Sequence, residues 1–209
     1  MLVERFAVGA LEVNCWVVAD GKSPEAMVVD PGDEPDRIED WLKEKGLTVK
    51  YLVCTHSHFD HVGGLPELKD STKAEIVLHK AELPIYERAA EMARLWGFQL
   101  EKLPTPDRFV AEGDEISVGS LTFKVWHTPG HSPGGICLVA PDVVFTGDSL
   151  FAGSIGRTDL PGGDYETLMQ SLQRLSSLPD DTVVYSGHGP ASRMGREKST
   201  NPFLTGEFR

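Results

Sequence analysis

The segment Thr55-His56-Ser57-His58-Phe59-Asp60-His61-Val62-Gly63-Gly64 constrains this chain more than any other stretch. It follows directly on Val49–Cys54, a short apolar run that suits a buried strand. His56 and His58 are two residues apart, so an extended backbone turns both imidazoles to one side, where they can share a metal ion. Asp60 and His61 are adjacent and suit a turn that aims them at a second ion. Gly63 and Gly64 then let the backbone turn sharply into the next element. A metal ion usually takes at least four ligands, so one such cluster cannot complete two sites.

Further ligands must come from other parts of the chain, and three residues stand in the right context. His131 lies in Thr128-Pro129-Gly130-His131-Ser132, just after a strand-like segment ending at His127. Asp148 follows the apolar run Val143–Phe145 in Thr146-Gly147-Asp148-Ser149, and His188 follows Val183–Tyr185 in Ser186-Gly187-His188-Gly189-Pro190. Each sits beside glycine at a strand end, as expected when scaffold strands present ligands from their tips.

The remaining pattern is that of an α/β protein. Alternating or continuous apolar segments predict strands at Leu2–Val8, Val13–Ala19, Ala26–Asp30, Ile76–His79, Glu115–Val118, Thr122–His127, Gly135–Val139, Val143–Thr146 and Thr182–Ser186. Helical spacing predicts helices at Asp36–Lys45, stopped by Gly46, at Ala81–Trp96 and at Tyr165–Ser176. No low-complexity linker divides residues 1–209, so a single domain is expected. His79 and His127 end strands and fit a structural or supporting role better than direct ligation. Phe151, Ile155, Trp96 and Phe98 are candidates for a pocket wall, although core packing is the commoner fate of such side chains.

Composition excludes some partners. The formal net charge is −12, and no Lys/Arg-rich run supplies the basic footprint that phosphate backbones require, so nucleic acid is not expected. No apolar run approaches the roughly 20 residues of a membrane span, and the N-terminus lacks a secretory pattern, which together predict a cytoplasmic protein off the membrane. Cys15, Cys54 and Cys137 show no C-x-x-C spacing and lie in apolar stretches, so buried, reduced thiols are expected.

With these residues in view, the chain resembles the metallo-β-lactamase superfamily, whose hallmark is T-H-x-H-x-D-H followed by later His, Asp and His. The match in order and context runs from Asn14 to Asn201-Pro202-Phe203. The resemblance implies a four-layer αβ/βα sandwich with two divalent metal ions at one edge of the sheets. It implies that His56, His58 and His131 hold the first metal, that Asp60, His61 and His188 hold the second, and that Asp148 bridges them. Within the superfamily the chain is most similar to the short bacterial members of the glyoxalase II group. The residues carrying that likeness are Asp30-Pro31-Gly32, Thr128-Pro129-Gly130-His131-Ser132-Pro133-Gly134, Gly147-Asp148, Gly156-Arg157-Thr158-Asp159 and Gly187-His188-Gly189-Pro190. No cysteine sits in a ligand context, which counts against antibiotic hydrolysis.

The activity so implied is hydrolysis of S-lactoylglutathione or a related small-molecule acyl thioester. Two cations about 3.5–4 Å apart lower the pKa of a shared water toward 7, and the resulting hydroxide, oriented by Asp60, attacks the carbonyl. A thiolate, with a parent pKa near 8.5, departs without a strong general acid. Zinc is the first expectation for the metal, with iron and manganese as alternatives. Arg157 stands where the group carries a basic residue for glutathione, so it is the candidate substrate-binding residue. The group's aromatic residue two positions on is Asp159 here, the tyrosine two after the last His ligand is Pro190, and a separate C-terminal helical glutathione-binding domain is not expected. The alternative in the same superfamily is a persulfide dioxygenase, which uses one iron held by two His and one Asp.

Overall fold

The structure is a computed structural model and describes residues 1–208. Its first half builds a six-stranded sheet from β1 (Leu2–Val8), β2 (Val13–Ala19), β3 (Glu25–Val29), β4 (Thr48–Val53), β5 (Glu75–His79) and β6 (Arg108–Val110), in that spatial order. The pairs β1–β2 and β2–β3 are antiparallel, and those from β3 to β6 are parallel. Parallel pairs need long crossovers. These hold α1 (Pro35–Lys45), α2 (Phe59–Val62), α3 (Leu65–Thr72), α4 (Leu83–Tyr86) and α5 (Ala89–Leu95).

The second half builds another six-stranded sheet from β7 (Glu115–Val118), β8 (Leu121–His127), β9 (Ile136–Ala140), β10 (Val143–Gly147), β13 (Val183–Ser186) and β14 (Ser192–Arg193), ordered β14-β13-β10-β9-β8-β7. Between β10 and its parallel neighbour β13 come a small hairpin, β11 (Leu150–Phe151) and β12 (Ser154–Ile155), and α6 (Tyr165–Leu175). The helices α7 (Met194–Thr200) and α8 (Pro202–Thr205) follow β14.

Side-chain alternation turns these elements into four layers. Along β2 every residue is buried, with Val13, Cys15 and Val17 on one face and Trp16 and Val18 on the other. The first face packs with Ile38 and Leu42 of α1, Leu65 and Leu68 of α3, and Tyr86 of α4. The second meets Phe123, Val125, Leu138 and Phe145 of the opposite sheet. The far face of that sheet, Cys137, Val144 and Val184, is covered by Leu168, Leu172 and Leu175 of α6 and Met194 of α7. Both faces of each central strand are therefore buried, as a sheet covered on both sides requires. The result is the αβ/βα sandwich that the resemblance implies.

Most predicted elements agree with the structure to within a residue. One does not: the helix expected over Ala81–Trp96 is broken. A 3₁₀ turn over Lys80–Glu82 and the short α4 precede α5. The Arg88 amide bonds back to Ile85 O at 3.0 Å, a tighter closure that ends α4, and Met92 N to Arg88 O starts α5 anew. The turn expected at Asp60-His61 is a single helical turn, α2, with His61 N bonded to His58 O at 2.9 Å. Of the elements without a forecast, β6, β11, β12, β14 and α8 are two to four residues long, too short for any period to register, while α3 and α7, of eight and seven residues, were missed although each spans about two turns.

Candidate metal centre

Strands of both sheets deliver polar residues to one edge of the sandwich. Asp30 follows β3, the His56–His61 segment follows β4, His131 lies beyond β8, Asp148 follows β10 and His188 follows β13. Ligand atoms of His56, His58 and His131 lie within 4.8 Å of one another, as do those of Asp60, His61 and His188. Asp148 stands between the two groups. Its Oδ1 is 3.4 Å from His61 Nε2, and its Oδ2 is 3.6 Å from both His131 Nε2 and His188 Nε2. The structure thus gathers all of the sequence-predicted metal residues into one cluster. Asp30, His56 and His61 form a third such grouping, but both Asp30 oxygens already accept from Thr55, which assigns Asp30 to support.

Hydrogen bonds on the outer side of the cluster fix which ring nitrogens face inward. The Thr55 amide and hydroxyl both donate to Asp30, each at 2.7 Å. With its only proton so used, the Thr55 hydroxyl accepts from His56 Nδ1 at 3.1 Å, which leaves His56 Nε2 as a bare lone pair. His131 Nδ1 donates to Arg157 O at 2.8 Å and leaves its Nε2 bare as well. These two bare nitrogens face each other at 3.2 Å. Both ring nitrogens of His61 and Asp148 Oδ1 are buried without a hydrogen-bond partner, although Asp30 Oδ2 stands 3.1 Å from His61 Nδ1. Converging lone pairs and orphaned buried polar atoms are costly unless a cation satisfies them, so the donor set fits divalent metal ions.

The electrostatics agree with that fit. Burial, reinforced by His61 and His131, pushes His56 well below the usual histidine range, and burial beside His131 lowers His58 to about 4. Burial opposes charge on His61 too, but Asp148, Asp60 and Asp30 outweigh it and raise that residue. Burial likewise disfavours the Asp148 carboxylate, yet His61 holds it well below the usual range. His56 and His58 are thereby neutral and Asp148 ionised, as metal binding requires, while the carboxylates around His61 favour positive charge there, the charge a bound cation would supply in place of a proton.

Two supporting residues escaped the sequence reading. Glu82, fully buried, accepts from Ser57 N through Oε2 and from Gly134 N through Oε1, both at 2.7 Å. It ties the His56–His61 loop to the His131 loop. A lone Glu at the start of a helical stretch carries no signal of this. Asp30 takes a positive φ of 53° at the head of Asp-Pro-Gly, and its strand-end position was the available clue. The His188 loop is held from the first sheet: Asn14 Nδ2 donates to Ser186 O and Gly189 O at 2.9 and 2.8 Å, and Trp16 Nε1 to Ser186 O at 3.0 Å. His79 and His127 stack on each other at 4.2 Å, outside the three ligand groupings.

Above the cluster opens a cavity of about 620 Å³, with His58, Asp60, His131, Asp148 and His188 on its floor. Phe151, Ile155, Trp96 and Arg157 line it, as do Phe59, Ile85 and Met92. Phe98 borders a neighbouring groove and packs tilted against Phe59, with ring centres 5.4 Å apart.

Comparison with known proteins agrees with this geometry. The family described as the metallo-beta-lactamase superfamily matches residues 8–188. Hydroxyacylglutathione hydrolase GloC of Haemophilus influenzae is 39% identical, over 98% of this chain and 98% of that protein. Among solved structures, TTHA1623 in a di-iron-bound form is 43% identical with a TM-score of 0.90, covering 97% of this chain and 100% of that one. The BLEG-1 B3 metallo-beta-lactamase is 36% identical with a TM-score of 0.91, covering 98% and 100%. With the sandwich, the edge site and a match over most of its length, the chain belongs to the metallo-β-lactamase superfamily.

Proposed function

We propose that this chain is a metal-dependent thioester hydrolase of the glyoxalase II type, cleaving S-lactoylglutathione or a related acyl thioester. The observation that carries the reading is the pair of His/Asp groupings sharing Asp148 at the floor of a cavity large enough for a small molecule. The GloC relative supports a glutathione-derived substrate. In this reading His56, His58 and His131 hold one divalent cation, Asp60, His61 and His188 the other, and Asp148 lies between them. When bound, such a pair supplies Lewis acidity and lowers the pKa of water at the site. Zinc is the metal we expect, and the di-iron neighbour keeps iron beside it as a candidate.

The chain's own residues supply the rest. Asp60, half-buried on the cavity floor with an oxygen 3.5 Å from His188 Nε2, is in position to orient the attacking water and accept its proton. Thr55 and Arg157 O keep His56 and His131 in the tautomers that face inward. A thiolate leaves without a protonated acid beside it, which suits a floor that offers only imidazoles and carboxylates. Arg157 borders the cavity, at the position where the glyoxalase II group carries a basic residue for its substrate. No helix among the described residues is long and apolar enough to cross a membrane, and we take a cytoplasmic small-molecule enzyme as the working description.

The test is S-lactoylglutathione hydrolysis by the purified protein, with metal content measured on the same sample. Turnover that rises with loading to about two metals per chain supports the reading. A fully loaded sample that leaves thioesters intact overturns it. Oxygen uptake with glutathione persulfide would then point to the dioxygenase chemistry of the superfamily. Opening of a chromogenic cephalosporin would point to the chemistry of the BLEG-1 neighbour.

A further inference from the structure

The walls of the cavity are hydrocarbon from the floor upward, and its arginines are already paired. Phe59 directly follows His58, and the Phe151 ring lies 6.0 Å from that of His188, so the atoms flanking a reacting carbonyl meet apolar surface at once. Met92 and Trp96 extend one wall and Ile155 the other. Arg88 and Arg157 are the arginines of the lining, which includes no lysine. Each is forked onto a carboxylate of its own segment. Arg157 Nε and Nη2 donate to Asp159 Oδ1 and Oδ2 at 2.7 Å each, and Arg88 Nε and Nη2 donate to Glu91 at 3.0 and 3.2 Å. The Arg157 guanidinium also lies 5.8 Å from the Trp96 ring centre.

In each arginine the Nε/Nη2 edge is filled by a carboxylate, which leaves only the Nη1 edge for a ligand and offsets the positive charge that would hold a second carboxylate there. Such exposed pairs contribute little to stability, but each cancels the field that would draw an anion to the mouth. Glutathione carries two carboxylates and a net negative charge, and neither arginine of this lining is unpaired. Resting on the thioesterase reading, we infer that the site takes thioesters of medium-length apolar acyl groups on an uncharged thiol. Asp159 is the specificity-determining residue that disfavours anionic thioesters. In the reaction, water oxygen bonds to the acyl carbon as the C–S bond breaks, giving a carboxylate, a thiol and one proton, with no redox partner.

The experiment is a series of S-acetyl, S-butyryl and S-hexanoyl N-acetylcysteamine thioesters compared with S-lactoylglutathione, on metal-loaded wild type and Asp159→Asn. Four methylenes separate the acetyl from the hexanoyl group, and each contributes about 0.8 kcal/mol when fully buried, or about fourfold, so kcat/KM is expected to climb by up to about 250-fold along the series. Calorimetry with the matching S-alkyl thioethers, which cannot be hydrolysed, should show affinity rising in step. Asp159 has a side chain 68% exposed, so its substitution spares the fold; it should lower KM for S-lactoylglutathione severalfold and leave the acyl-chain trend in place. A flat or falling series with S-lactoylglutathione preferred, or an Asp159→Asn KM equal to wild type, overturns this inference and leaves the thioesterase reading standing. Hydrolysis of none of these thioesters overturns both.

Discussion

Glu82→Ala removes one side chain and unties two loops. The carboxylate is fully buried and accepts from Ser57 N and Gly134 N, so its loss strands two backbone donors away from water. Hydrogen bonds to a charged acceptor contribute about 1.5–3 kcal/mol each, which sums to about 3–6 kcal/mol for the pair. Relief from burying the carboxylate, and water entering the space left behind, offset part of that. The net expectation is about 3 kcal/mol of lost stability, or about 6–12 °C in Tm for a chain of this size. Because Ser57 lies between His56 and His58, and Gly134 three residues after His131, the same change should loosen the first metal group. Metal affinity should fall about 10- to 100-fold, as for loss of a residue that orients ligands. The assay is urea unfolding with and without chelator, together with competitive metal titration. A loss below about 1 kcal/mol with unchanged affinity would refute the assignment of Glu82 as the tie between the loops.

Other residues yield separate tests. His58→Ala should reduce thioester hydrolysis by at least about 100-fold and lower metal stoichiometry. The metal-free Tm should move by only a few degrees, because burial already keeps His58 neutral at pH 7 (its pKa is lowered to about 4); full activity with normal metal content would remove it from the ligand set. Gly187→Ala places a Cβ against Asp148 Oδ1 and 2.8 Å from His61 Cε1, so it should abolish metal binding at the second group. Retention of both metals in that variant would contradict the packing around Asp148. Burial raises Cys15 and Cys54 well above the ordinary thiol range and Cys137 to about 11, so at pH 8 all three stay protonated and shielded. Mass spectrometry after iodoacetamide should find them unmodified in the native protein and alkylated in denaturant. Alkylation of the folded chain would contradict their burial.

The strands were legible because their information is local. A period of two, as in Val13–Ala19, needs only neighbouring residues, and the His56–His61 cluster announces its chemistry by spacing alone. His131, Asp148 and His188 were readable for a related reason: each stands beside glycine at the end of an apolar strand, a context visible within five residues. The helix over Ala81–Trp96 misled because a helical period does not reveal a break, and this break is marked by one backbone amide, that of Arg88, which takes the closer partner Ile85 O.

What the sequence by itself determined is therefore the class of fold and a candidate metal site with the residues competent to build it. Only the tertiary structure decided how those residues are held. Thr55 reaches Asp30 across 25 residues, Ser57 reaches Glu82 across 25, and His56 faces His131 across 75. Those partners are brought together by strand order and by the packing of two sheets, which no window along the chain contains. The same holds for Asp148, whose two oxygens divide between groups delivered by different sheets. It holds also for the cavity, whose apolar walls come from α2, α5 and the β11–β12 hairpin. Local patterning selects elements and ligands, while hydrogen-bond partners and pocket shape are properties of distant segments brought into register.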